Sequence, residues 1–253
     1  MSRKGYSILG AFIDALTWKE VLATMTHWAD QHESRYICIC NVHSVTSTTR
    51  NPDFRNVINS ADLATPDGAP IAWALRKFGF PDQQRINGPD LMWKYLEQAE
   101  VLGQSVFLYG STDTTLEQLR ARMRQDFPAL RIAGSYAPPF HALSVEEDEA
   151  EVEMINRSGA QVVFVGLGCP KQEQWMASHR GRVQAVMVGV GAAFDYHAGT
   201  KKRAPLWWQR HGLEWLYRLG TEPHRLMKRY MVTNTLFIFG FSRQLLRDRM
   251  LDK

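Results

Sequence analysis

The sequence predicts an α/β fold built on a largely parallel sheet. Three observations predict it. Short apolar runs alternate with amphipathic helical segments over most of the chain. The runs "VVFVG" and "VMVGVG" are apolar without alternation, as strands covered on both faces are. The stretch beyond about residue 200 changes character and reads as helical, aromatic and basic.

The elements follow in order. "YICICNV" at 36–42 reads as a buried strand, with Cys38 and Cys40 on one side of it and directed into packing. "ADLAT" at 61–65 is a short strand, and "PDGAPIAWALRKFG" is the helix after it, with Pro66 near its start. "GPDLMWKYLEQAEVLG" at 88–103 is a helix ended by Gly103. "SVFLYG" at 105–110 is a strand, and "STDTTLEQLRARMRQDF" is its helix. "RIAGSYAPP" is a strand that runs into a proline-rich loop. "SVEEDEAEVEMINRSG" is a helix with Ser144 and Glu147 at capping-box spacing. "AQVVFVGLG" is a strand, "CPKQEQWMASHR" a helix and "AVMVGVG" at 185–191 another strand. In the last stretch, a break at Gly220 to Pro223 divides the helix into two or more. About 50 residues bury little core alone. The expected organisation is therefore a core over 1–200 and a helical, basic appendage over 201–253.

The 253 residues are 45% hydrophobic and 22% charged, which excludes a disordered chain. Three cysteines cannot build a disulfide framework, so a reduced, cytosolic compartment is the simplest reading. The N-terminal "MSRKGYSILGAF" lacks the apolar segment of a signal peptide. The run "LFIFGF" at 236–241 is far shorter than the roughly 20 residues of a membrane span. Charge is unevenly placed. Residues 1–200 hold 18 Lys+Arg against 22 Asp+Glu, and residues 201–253 hold 12 against 4. A basic tail on an acidic body points to an anionic partner for the tail: a phosphate-bearing ligand, a membrane surface or nucleic acid. A packed, positively charged helix pair is the plainer alternative.

Ligands of parallel α/β sheets bind beyond the carboxyl ends of the strands. That rule selects Asn41, Thr65 to Gly68, Tyr109 to Thr112, Ser135 to Pro139, Gly166 to Gln172, and Gly189 to Asp195. "GLGCPKQE" at 166–173 sets a glycine loop before a helix start, where free N–H groups favour phosphate and Lys171 adds charge. It is neither a Walker loop nor a GxGxxG fingerprint, and a plain turn with Gln172 and Glu173 exposed would read the same way. "GVGAAFDYHAG" at 189–199 puts Asp195 and His197 beside small residues, where an Asp can accept from a ribose or base, or merely cap a helix. Asp67 of "TPDG" is a general base at a strand end or a cap of the following helix. The acidic run Glu146 to Glu151 reads as a solvated helix face rather than a metal site. Asp-x-Asp, His-x-x-x-His, CxxC and GxSxG are all missing, so no metal or cofactor is expected, nor a hydrolase of the serine-elbow type.

"TPDGAPIAWALR", "RINGPDL", "GLGCPKQEQWM", "GVGAAFDYHAGTKKRAP" and "GLEWLYRLGTEPHRLMKRY" together resemble the WecG/TagA/CpsF glycosyltransferases, family 26, over residues 6 to 245. The resemblance implies a Rossmann-like (GT-E) domain with an appendage that helps close the site at the membrane. It implies inverting, metal-independent transfer of a hexose, an N-acetylhexosamine or a uronic acid. It implies a UDP-sugar donor and a polyprenyl-diphosphate-linked acceptor, in bacterial exopolysaccharide or cell-surface glycan synthesis. The implied location is cytoplasmic, peripheral on the inner face of the plasma membrane, at an anionic lipid surface and without nucleic acid. Monomer and homo-oligomer stay open, as does a catalytically inactive scaffold, against which the intact Asp67, Arg85 and Gln172 speak.

By the same resemblance Asp67 matches the base, and His43 either assists as base or binds the acceptor. Asn41, Arg85, Gln172, Arg218, Arg225, Lys228 and Arg229 match substrate-binding positions. Asp195 matches the nucleotide side, where the strand-end rule and the glycine loop also put Gly110, Tyr136, Gly166, Gly168, Lys171 and Gly191. Two positions depart from the family pattern: Ile39 stands where members often carry Thr, and His43 where an acidic residue is frequent.

Overall fold

The computed structural model describes residues 3–251. The ends of the expected appendage at 252–253, and the first two residues of the N-terminal segment, lie outside the described residues.

The chain opens with an antiparallel hairpin, β1 (Gly5–Ile8) and β2 (Ala11–Asp14), and the helix α1 (Trp18–Asp30), started by a Thr17–Glu20 capping box. Then come β3 (Arg35–Cys40), α2 (Val42–Thr48), α3 (Pro52–Asn59), β4 (Leu63–Pro66), α4 (Ala69–Lys77) and α5 (Gly88–Leu102). They are followed by β5 (Ser105–Gly110), α6 (Asp113–Asp126), β6 (Arg131–Tyr136), α7 (Val145–Arg157), β7 (Val162–Gly166), α8 (Lys171–His179), β8 (Val186–Gly189) and α9 (Ala193–Ala198). The last stretch forms α10 (Leu206–Arg210), α11 (Glu214–Thr221) and α12 (Pro223–Leu251).

Six strands form one sheet in the order β4-β3-β8-β7-β5-β6, and every neighbouring pair is parallel. Helices cover both faces, as a parallel sheet requires, and the arrangement is Rossmann-like. Alternate residues of each strand enter different cores. Cys38, Cys40, Val163, Val165 and Met187 pack under α3, α4, α7 and α8. Ile37, Ile39, Phe164, Val186 and Val188 pack under α1, α5, α6 and α9.

The strand expected over 36–42 stops at Cys40, because Asn41 turns the chain and caps α2 with its side-chain oxygen. The sequence reading passed over the hairpin, α1, α2 and α3. The hairpin strands have four residues each, and α2 is rich in Ser, Thr and Val, poor helix formers that its cap and tertiary packing override. Gly103 ends α5 in the left-handed conformation, and the Ser144–Glu147 capping box is present.

Two solvation expectations are corrected. Glu151 is buried on the sheet side of α7 and accepts from the Tyr109 hydroxyl, because the turn periodicity of α7 swings that one acid of the run inward. Gln172 and Glu173 are also buried, since α8 starts against the ends of β7 and β8.

The expected break falls between α11 and α12, and a second at Gly212, where φ is 71°, separates α10. Arg218 and Arg225 therefore stand on different helices. The far half of α12 returns to the core. Phe237 and Phe241 are buried, Phe241 against Trp73 and Phe78 and Phe237 stacked on Phe241, and Gln244 bonds the hairpin through Leu9 N–H and Ser7 O. Phe241→Ala opens a cavity there, and a loss of about 3 kcal/mol is expected. A urea melt checks it, and an unchanged midpoint would mean that α12 unfolds separately from the sheet.

Candidate active site

Asn41, Asp67, Gly110, Tyr136, Gly166, Gln172 and Gly191 stand at or just beyond the carboxyl ends of the strands, where each strand ends in a turn. Three groups stand there.

The first lies beyond β3 and β4. Asp67 follows β4, and its N–H donates to Cys40 O at 2.8 Å, which fixes the turn to the neighbouring strand. Gly68 takes φ 85°, a conformation that favours glycine, and α4 begins there without a side-chain cap. Asp67 is thus not the cap of α4, and its carboxyl is directed to Arg85 instead. The loop before α5 runs beside β4, since Ile86 N–H donates to Pro66 O at 2.9 Å. Arg85 Nε donates to Asp67 Oδ1 at 3.1 Å, and Arg85 Nη2 donates to Glu214 Oε2 of α11 at 2.8 Å. Burial pushes the Asp67 carboxyl above the usual carboxylate range; Arg85 opposes that rise and Glu214 adds to it. Burial disfavours the Arg85 charge, but Asp67 and Glu214 outweigh it and hold the guanidinium charged.

Asn41 spends its Oδ1 on the N–H groups of His43 and Ser44, which leaves its amide NH2 without a partner among the described residues. His43 sits in the first turn of α2 with Nδ1 buried and unpartnered. Burial, and then the Arg229 charge, lower its pKa, so the imidazole is neutral at pH 7.

The second group comes from the appendage. Arg218 of α11 lies over the Tyr196 ring at 6.0 Å, with its Nε buried and unpartnered. Burial works against its charge, but Tyr196, Tyr230, Glu214 and Asp67 together raise its pKa. Arg229 of α12 also buries an unpartnered Nε, close enough to His43 and Cys169 to act on both thiol and imidazole. Buried donors without acceptors are costly unless a ligand satisfies them. Arg225 instead pairs with Glu222 at 2.5 Å and is half exposed, and Lys228 is exposed. Of the four appendage cations singled out, two turn inward and two face solvent.

The third group lines the ends of β5 to β8. Gln172 is clamped: Gly168 N–H donates to its Oε1 at 3.3 Å, and its Nε2 donates to Glu173 Oε1 at 2.9 Å. It lies against Gly189 and Gly191, and a Cβ on Gly189 would stand 3.0 Å from its Nε2. Lys171 is exposed at the start of α8. Tyr136 ends β6 with its ring 6.2 Å from that of Tyr109. Gly110 and Gly166 are neighbours in the register of β5 and β7, and packing already accounts for both. A Cβ on Gly110 would meet the Gly166 backbone at 2.7 Å, and one on Gly166 would meet the Phe194 ring at 2.6 Å. Asp195 Oδ2 accepts from Lys201 Nζ at 2.6 Å. His197 stacks on Trp93 at 3.8 Å, with Nε2 2.9 Å from Pro89 O, and so is packed away from the edge.

Two acidic residues were passed over. Glu214 lies four residues before Arg218 in the sequence, which reads as an ordinary helix-surface pair, but its partner is Arg85, 129 residues away. Glu173 closes "GLGCPKQE", where the sequence reads it as an exposed first-turn residue, and the fold buries it beside Gln172, with burial raising its pKa. A groove of about 630 Å³ beside α7 and α8, lined by Trp175, Ser178, His179 and Arg182, holds none of the selected residues. Among the described residues no three His, Cys, Asp or Glu side chains are grouped to hold a metal ion.

The arrangement can hold an anion between inward arginines and place a carboxylate of raised proton affinity beside it, as a displacement with a charged leaving group needs. The sequence pattern described as the glycosyl transferase WecG/TagA/CpsF family matches residues 6–250. The chain is 34% identical over 215 residues to an N-acetylglucosaminyldiphosphoundecaprenol N-acetyl-beta-D-mannosaminyltransferase of Bacillus spizizenii, across 85% of this chain and 82% of that one. It is 32% identical over 214 residues to a protein of the same name from Staphylococcus aureus, across 83% of this chain and 82% of that one. A match along nearly the whole chain, on a parallel sheet whose carboxyl edge gathers the motif residues, makes this protein a glycosyltransferase that belongs to the WecG/TagA/CpsF family.

Proposed function

We propose that the chain transfers a sugar, with inversion, from a UDP-sugar to a polyprenyl-diphosphate-linked acceptor at a membrane surface. The names of both relatives support an N-acetylmannosaminyl group as the sugar and an N-acetylglucosaminyl diphospholipid as the acceptor. The observation that carries the reading is Asp67. It is a carboxyl of raised pKa at a strand end, with arginines from core and appendage around it.

In the proposed reaction Asp67 takes the proton of the acceptor hydroxyl as its oxygen bonds to the anomeric carbon. The bond from that carbon to the UDP oxygen breaks on the opposite side. Arg218 and Arg229, with the loop at 166–170 and Lys171, receive the charge of the departing diphosphate. Asn41, Arg85 and Gln172 orient the sugars, and His43, neutral and buried, assists on the acceptor side. Gly110, Tyr136, Gly166, Gly168, Gly191 and Asp195 border the nucleotide. Residues 1–200 act as the catalytic core and 201–253 as the membrane-associating appendage. No metal is required in this scheme, because cations and backbone N–H groups meet the diphosphate.

Exposed Leu206, Trp207, Trp215, Met231, Ile238 and Phe239 support peripheral contact with lipid, with Arg225 and Lys228 beside them. Among the described residues no helix is long and apolar enough to cross a membrane.

Asp67→Asn is expected to lower transfer by about 10²- to 10⁴-fold, while UDP binding by calorimetry survives. Near-normal UDP release would remove Asp67 from the base role. Only the ionised carboxylate accepts a proton. A kcat/KM profile is therefore expected to rise with pH through an ionisation above the ordinary Asp value of about 3.9. Flotation with anionic vesicles is expected to carry the protein at low salt and release it at high salt; vesicles that float alone would count against the membrane role.

A further inference from the structure

Arg85 is shared between two acids, each taking a different nitrogen of its guanidinium. Its Nε edge meets Asp67 at 3.1 Å and its Nη2 meets Glu214 at 2.8 Å. The shorter contact goes to Glu214, which at 12% exposure is also the more buried of the two carboxylates, against 20% for Asp67. The charged and titratable groups around Asp67 are Arg85 from the loop before α5, Glu214 and Arg218 from α11, and the Cys40 thiol of β3. Burial drives that thiol pKa upward, so Cys40 contributes no charge.

Glu214 occupies Arg85 Nη2, the nitrogen that with Nε would make a bidentate pair with Asp67, so Asp67 keeps a single hydrogen bond to the guanidinium. Glu214 also adds its own negative charge to the field at Asp67. Both effects favour proton uptake by Asp67.

We propose that Glu214 is a positioning residue, which holds Arg85 between α11 and the core and so keeps Asp67 a stronger base than a carboxylate paired with Arg85 alone. This rests on the reading of Asp67 as the base. Because Glu214 belongs to α11, the base has its full strength only while the appendage is docked. With α11 displaced, Arg85 pairs with Asp67 alone, and the carboxylate loses proton affinity.

The test uses the full chain with Glu214→Gln, which keeps the shape and removes the charge, and Glu214→Asp, which keeps the charge. Carboxyl-labelled aspartate is titrated by NMR, with the Asp67 signal assigned from its loss in Asp67→Asn. Melting curves confirm that each variant is folded. The Asp67 titration is expected to move down by about one pH unit in Glu214→Gln, with Glu214→Asp nearer the parent. The acid limb of kcat/KM is expected to move down with it. An Asp67 titration unmoved or raised in folded Glu214→Gln overturns the proposal. A lowered titration with an unmoved kinetic limb upholds the coupling and removes Asp67 as the base.

Discussion

Arg85 carries one positive charge between two carboxylates, one at the end of β4 and one on α11. A partly buried charge left unpaired costs several kcal/mol, and Arg85 is hydrogen-bonded to both carboxylates. Arg218 brings the second positive charge, so the four groups balance in pairs. The balance depends on core and appendage together. Remove α11, and Asp67 keeps Arg85 but loses Glu214 and Arg218 at once. The core without its appendage would therefore be a site of different chemistry, and not merely a more open one.

The parallel sheet makes that arrangement available. Parallel strands deliver all their carboxyl ends to one edge, so turns distant in sequence meet there. Asp67, Asn41, Gly191 and Gln172 follow β4, β3, β8 and β7, four strands that lie side by side in that order. Helix α12 then anchors the appendage at its far end through Phe237, Phe241 and Gln244. Held near Arg85 and again at the hairpin, the helices after residue 200 carry Arg218 and Arg229 to the edge with their donors turned inward.

Much of this was legible in the sequence for a local reason. Strands buried on both faces must be continuously apolar, and helices between them must be amphipathic. The segments "VVFVG", "SVFLYG" and "VMVG" could therefore be placed from composition alone, as could the cap at Ser144 and the stop at Gly103. Elements with weak local signals were missed. The hairpin strands are too short for periodicity to register, and α2 is held by the Asn41 cap and by α12 against its own Ser, Thr and Val content. The motifs identified which residue types belong at the strand ends. They carried no information on which cations would turn inward, and Arg229 and Lys228, adjacent in sequence, go to opposite environments.

The sequence by itself determined the fold class, the strand ends on which the site is built and the family to which the chain belongs. The first two are written in spacing along the chain, where local sterics and hydrophobic period act; the family is carried by the particular residues of its motifs. Tertiary structure alone decided who pairs with whom. Glu214 reaches Arg85 rather than its helix neighbour Arg218, and Glu151 leaves an acidic run to meet Tyr109. Those choices are set by charge and burial between segments far apart in the chain, and that energy exists only once the sheet has brought them within hydrogen-bond reach.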